Sequence, residues 1–251
     1  MKNRRRIAGL HAAEAALENA PDKIISVWID HRREDGRIAA IAQKLASLGI
    51  PVQPAGRNQL DSLAESRNHQ GIVIELKLSG ELGESELQDV LAELPNRPFF
   101  LVLDHVQDPH NLGACLRTAD AAGVQGIIIT KDQSVGLTPT VAKVASGAAE
   151  TVPVYRVTNL NRVLGWLKEA GLWIVGAAGE AEQSLYEIDL AIPLALVIGA
   201  EGKGLRRLTR ESCDFLVKIP MFGQIESLNL SVATGVLLFE AVRQRARANR
   251  T

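Results

Sequence analysis

Six predominantly apolar stretches, each leading into a segment with helical spacing, constrain this chain more than any other feature. From Phe99 onward they read "FFLVLDHV", "GIIIT", "VPVYRV", "LWIVGAA", "LALVIGA" and "FLVKIPM". A strand with one wet face alternates apolar and polar residues, whereas a strand covered on both faces is apolar throughout. The pattern predicts an α/β fold, a mostly parallel sheet with helices on both faces. Helices are expected around 111–122, 138–148, 159–170, 204–211 and 228–246. In such sheets the ligand sits beyond the carboxyl ends of the strands.

Ahead of Phe99 the chain changes character. Residues 1–78 predict a small α/β domain with a helix in "AGLHAAEAALENA" and a strand in "KIISVWID". A charged helix through "IAAIAQKLASLG", a short "IPVQ", a helix around "LDSLAE" and a strand "GIVIELKL" follow. This part carries 12 Lys and Arg against 9 Asp and Glu. Residues 79–97 carry five acids against one arginine and lie beside prolines, which reads as a linker with a short helix. Residues 98–251 form the larger domain, with 15 charges of each sign.

Composition removes several classes of function. Apolar residues at 46% and charged residues at 23% suit a soluble globular chain. The apolar runs fall far short of the ~20 residues of a membrane span. No apolar core of a signal peptide follows "MKNRRR", so the expected location is the cytoplasm. Cys115 and Cys213 are too few for a disulfide framework, and the five histidines show no H-x-x-x-H spacing, so no metal is expected. A net charge of −1 creates no global attraction for nucleic acid. Local basic clusters remain in "KNRRR", "GLRRLTR" and "AVRQRARANR", each readable as a solvated face or as a docking patch.

Three segments, each after a predicted strand, carry residues that a core does not need. "DPHNLGACLRTADAAG", residues 108–123, sets Asn111 at a helix entrance and Arg117 among small and apolar side chains. An unpaired buried cation is costly, so Arg117 calls for a partner: Asp104, Asp108 or Asp120, or an anion outside the chain. "LALVIGAEGKGL", residues 194–205, places Gly199, Gly202 and Gly204 around Glu201. It is neither a P-loop, which needs Gly-Lys-Ser/Thr, nor a dinucleotide fingerprint, which opens the first βαβ unit. "IPMFGQIESLNLSVATG", residues 219–235, leads into the last helix, with Ser227 as its expected N-cap and Asn229 as a turn residue.

These three segments resemble the signature motifs of the SpoU/TrmH family of RNA ribose 2′-O-methyltransferases. The resemblance spans nearly the whole chain. "GLHAAEAAL" and "NHQGIV" are similar to the amino-terminal substrate-binding domain that some members carry. The resemblance implies a carboxyl-terminal trefoil knot between about Trp173 and Gly235. It also implies S-adenosylmethionine as cofactor, held around Ala177, Gly199, Glu201, Gly202, Ile219, Met221, Leu228 and Asn229. Arg117, Asn111, Glu201, Ser227 and Asn229 become the implied catalytic set. Arg4, Arg5, Arg6, His69, Gln70 and Arg117 become the implied RNA contacts. The implied substrate is large-subunit ribosomal RNA, at a guanosine of the peptidyl-transferase region, with transfer RNA as the rival. A homodimer with a shared site is implied as well. A non-catalytic RNA-binding module of the same fold is the remaining alternative.

Overall fold

The computed structural model describes residues 4–248 apart from 20, 34, 65, 67, 78 and 79. The chain divides into two compact units between Gly80 and Glu81.

The first unit is a four-stranded sheet ordered β1-β4-β2-β3, built from β1 (Arg4–Ala8), β2 (Ile24–Asp30), β3 (Val52–Ala55) and β4 (Ile72–Lys77). Helices α1 (Leu10–Asn19) and α2 (Gly36–Ser47) supply Leu17, Ile41 and Leu45 to a core with Val27 and Ile74. Helix α3 (Arg57–Ala64) places Leu60 in a smaller cluster with Ala55 and Val73. The basic amino-terminal stretch is therefore part of an edge strand, antiparallel to β4 with Arg6 opposite Glu75. Lys2 and Asn3 of that stretch, and the side chains of Arg4 and Arg5, lie outside the described residues.

The second unit begins before the apolar strands do. Helix α4 (Glu84–Ala92) falls inside the acidic stretch that reads as a linker. Its Leu87 is fully buried with Phe100 and Tyr155, and Leu82 pairs with Tyr155 as a bridge. The acids occupy the outside of an element whose few leucines are core, so charge density alone misrepresents it.

Seven strands form the main sheet: β5 (Phe99–Asp104), β6 (Gly126–Thr130), β7 (Val154–Val157), β8 (Trp173–Ala177), β9 (Gln183–Ser184), β10 (Leu194–Gly199) and β11 (Phe215–Lys218). Their order is β7-β6-β5-β10-β8-β11-β9, and every pairing is parallel. Both faces are covered, which is why the strands are apolar throughout. Phe99, Leu101 and Leu103 point into one layer with helices α5 (Pro109–Ala121), α6 (Pro139–Ala145), α7 (Ala148–Thr151) and α10 (Leu230–Ala248). Phe100 and Val102 point into the other, with α4 and α8 (Leu160–Glu169). The short α9 (Arg207–Glu211) follows β10. No described helix is long and apolar enough to cross a membrane.

Candidate active site

Three loops meet at the carboxyl edge of the sheet, and each is positioned by local chemistry. After β5 the chain turns through His105, which takes a left-handed backbone at φ 70°. Asp108 then caps α5, its Oδ1 accepting from the His110 amide at 2.8 Å, and Pro109 fills the first helical position. This sets Asn111 in the first turn, buried and facing the edge.

After β10 the glycine-rich loop folds back on its own strand. A Cβ on Gly199 would fall 2.1 Å from the carbonyl carbon of Gly204, so only glycine tolerates this return. Gly202 and Gly204 have φ of 73° and 63°, the left-handed region where glycine is unstrained. The glycines thus shape the turn that presents Glu201. The third loop, 219–229, ends where Asn229 caps α10. Its Oδ1 accepts from the Ser231 amide at 2.9 Å and the Ser231 hydroxyl at 2.6 Å. The cap is Asn229 and not Ser227, which stands exposed two residues earlier.

With its oxygen committed to the helix, the Asn229 amide group must turn its Nδ2 outward. That nitrogen donates to Asn111 Oδ1 and to Glu201 Oε1, both at 3.1 Å. Asn111 Nδ2 donates to the same Glu201 oxygen at 2.6 Å. One residue from each motif therefore joins a closed three-membered network, and the acid is held from two sides. Beside it opens a cleft of about 360 Å³ that Asn111 and Glu201 line together with Asp104, His105 and Arg206. Asp104 is buried and accepts from its neighbour's ring at Nδ1 and from the Arg206 amide at 3.3 Å. Sequence reading missed this Asp104–His105 pair, because nothing in "LDHV" signals a left-handed histidine.

The residues implied for the cofactor lie along the same edge. Strands β10, β8 and β11 are neighbours, with Ile198 level with Ala177 and Ala177 level with Val217. Ala177 and Gly199 end their strands, and Ile219 and Met221 follow the third. Met221 and Leu228 are exposed apolar side chains at this edge, and Phe222 beyond them is 97% exposed. Leu228 adjoins Asn229, so an exposed apolar side chain stands next to the residue that holds the carboxylate, a combination that suits a ligand with an apolar ring and a cationic centre.

Other implied residues fall elsewhere. Arg117 is not buried: it is exposed on α5, has no ion-pair partner among the described residues, and does not line the cleft. Its apolar neighbours Cys115, Leu116 and Ala119 face inward while its own position on the helix faces out, so none of the three aspartates is needed. His69 is 4% exposed, with Nδ1 accepting from the Gly71 amide at 3.0 Å and Nε2 3.2 Å from Asp61. It braces a turn and is unavailable as a surface contact. Gln70 is exposed, but its Oε1 accepts from the Leu10 amide at 3.0 Å at the start of α1. Arg6 Nε donates to Glu75 at 3.2 Å, with the guanidinium 5.8 Å from the Trp28 ring centroid. Both cysteines sit in hydrophobic surroundings, and burial pushes their thiols up to about 11 at Cys115 and about 12 at Cys213. Among the described residues no cluster of His, Cys, Asp and Glu could hold a metal.

Comparison with known proteins agrees with this geometry. Residues 98–239 match the SpoU rRNA Methylase family, and residues 6–81 match an RNA 2′-O ribose methyltransferase substrate-binding domain. A 23S rRNA (guanosine-2′-O-)-methyltransferase RlmB of Shewanella oneidensis is 57% identical, covering 98% of this chain and 99% of its own. The protein of that name from Escherichia coli is 52% identical over 96% of this chain and 98% of its own. The crystal structure of an AdoMet-bound rRNA methyltransferase from Sinorhizobium meliloti superposes with a TM-score of 0.78 at 26% identity, covering 96% and 87% of the two chains. The three motifs, the parallel sheet and the near-complete coverage all place this chain in the SpoU rRNA methylase family.

Proposed function

We propose that this protein methylates the ribose 2′-hydroxyl of a guanosine in 23S ribosomal RNA, using S-adenosylmethionine, and that it does so in the cytoplasm. The observation that carries the reading is the Asn111–Glu201–Asn229 network, one residue from each signature motif. RlmB relatives matched over nearly their whole length support ribosomal RNA over transfer RNA. The implied knot is part of the proposal. Its support is that the chain passes from β10 across β8 to β11 and then returns to pack α10 on α5.

S-adenosylmethionine, when bound, supplies a methyl group on a sulfonium. The backbone around Gly199, Ile219 and Leu228 would hold it, with Met221 and Leu228 giving apolar cover. Glu201, fixed by two amides, would offer negative charge to a cationic cofactor and orient the reacting ribose. Asn111 and Asn229 hold that carboxylate in place. Arg117 acts through its planar five-donor fork, which matches phosphate oxygens. It grips an RNA phosphate and stabilises negative charge developing on the 2′-oxygen, whose proton passes to that phosphate, to water or to Glu201 as the methyl group is taken up. Its distance from the cleft is answered by a homodimer in which each site draws on both chains. Val232 at 52% and Phe239 at 48% exposure on α10 give that dimer an apolar face.

The test is methyl transfer from labelled S-adenosylmethionine to purified 23S and transfer RNA, with the modified nucleoside identified after digestion. Label in 2′-O-methylguanosine of 23S RNA is expected. Label in transfer RNA alone, or on a base, overturns the reading.

A further inference from the structure

The cleft beside Glu201 has a far wall that the reaction as described does not use. Arg206, after the glycine-rich loop, and Gln133, after β6, come from separate connections and meet there: Arg206 Nη2 donates to Gln133 Oε1 at 2.7 Å. Gln133 has a left-handed backbone at φ 55°, an uncommon conformation for a residue with a Cβ. The Arg206 backbone is held separately, through its amide to Asp104. The contact uses one of five guanidinium donors and leaves the rest of the fork free.

The charges of the cleft decide what would fit it. Asp104, Asp108 and Glu201 outnumber Lys203 and Arg206, so a bare phosphate meets net repulsion. A neutral group with donors on one edge and acceptors on another meets partners on both sides. Guanine is such a group: N7 and O6 accept, and N1–H and the 2-amino group donate. Adenine would set its 6-amino donor against the guanidinium, an unfavourable pairing. A volume of about 360 Å³ is within the range of pockets for small molecules.

We propose that this cleft receives the base of the target nucleotide, and that Arg206, held by Gln133, is a specificity-determining residue that reads the guanine N7/O6 edge. The inference rests on the functional reading above and adds where the base lies and what selects it. Gln133 is a positioning residue, acting through the guanidinium.

The test compares RNA fragments carrying guanosine or 7-deazaguanosine at the mapped target, with wild type, Arg206→Ala, Arg206→Lys and Gln133→Ala. Loss of N7 is expected to lower wild-type kcat/KM about 10-fold or more. Arg206→Ala is expected to lose about 10- to 100-fold on guanosine and to be indifferent to the 7-deaza change, with cofactor affinity unaltered. Arg206→Lys keeps the charge and fold but lacks the fork, and should follow the alanine variant. Gln133→Ala should show a partly reduced 7-deaza penalty. If wild type methylates both RNAs equally, or if Arg206→Ala retains the full 7-deaza penalty, the base-reading role is overturned while the methyltransferase reading stands. No ribose methylation by wild type overturns both.

Discussion

Arg117 and Arg245 stand on two helices that pack together, and each occupies the opposite of the setting its neighbours suggest. Arg117 lies among Leu112, Cys115, Leu116 and Ala119, yet it is exposed without an ion-pair partner among the described residues. Arg245 lies in a run of arginines that reads as a solvated tail, yet its guanidinium is half-buried. It donates to the carbonyls of Arg97, Pro98, Leu190 and Ile192 at 2.6–3.3 Å and lies 4.4 Å from the Phe99 ring centroid. Burial pushes its pKa down, with the charge of Arg97 adding to the effect. Carbonyl oxygens replace a carboxylate here, and they tie the end of α10 to the amino edge of β5 and β10. Helix phase separates the two cases: at about 100° per residue, Arg117 is 200° from Cys115, which meets Thr234 of α10. One arginine is left open to a ligand, and the other holds the fold.

The largest effect expected from breaking this pair is on catalysis. Arg117→Ala should lower methyl transfer by about 10²–10³-fold with melting temperature and cofactor affinity unchanged. Arg117→Lys should recover little, since an ammonium lacks the planar fork. A fall in cofactor affinity or in melting temperature would show Arg117 to be part of the cofactor site or of the fold.

Arg245→Ala should do the reverse. Four carbonyls lose their donor, costing about 3 kcal/mol, so melting should fall by roughly 6–12 °C in calorimetry. Methyl transfer per folded molecule should hold. Lys at this position restores some of the donors and should melt in between; an unmoved transition would refute the latch.

A smaller effect concerns Phe239. Replacing it by Asp should weaken the proposed dimer about 10-fold or more in sedimentation, equivalent to about 1.4 kcal/mol, with the fold retained because the side chain is half-exposed. Leu238 beside it is fully buried, so a charge there would probe the core instead. A dimer unmoved by Phe239→Asp would remove this face from the interface.

A stability effect smaller than that of Arg245 belongs to Asn229, which serves helix and site together. Asn229→Ala should cost about 1 kcal/mol through the lost cap, besides lowering activity. Asn229→Asp keeps the capping oxygen but sets a carboxylate against Glu201. It should melt near wild type and still lose methyl transfer. Equal activity in Asn229→Asp and wild type would break the link between the network and catalysis.

The sheet was legible because burial on both faces leaves a mark on every residue of a strand: "FFLVLD" and "LALVIG" became β5 and β10 within a residue or two of their expected limits. The three segments carrying Asn111, Glu201 and Asn229 stood out because each follows a strand, where an α/β sheet collects its ligand groups; the set itself, with Arg117 and Ser227, came from the family resemblance. Edges and ends were less legible. Strand β1 reads as a basic tail because an edge strand needs few apolar residues, and its Arg6 finds Glu75 only across the sheet. Ser227 and Asn229 are both good caps, and the start of α10 at Leu230 chose between them.

Local sequence determined which segments become strands and helices, since hydrophobic period and capping chemistry act over a few residues. Tertiary structure alone decided which cation is free and which is held, that His69 braces a turn, and that Arg206 meets Gln133 across a cleft. Those outcomes depend on where distant carbonyls, carboxylates and amides arrive in space. The cost of an unsatisfied polar group is settled by that arrangement and by no neighbour along the chain.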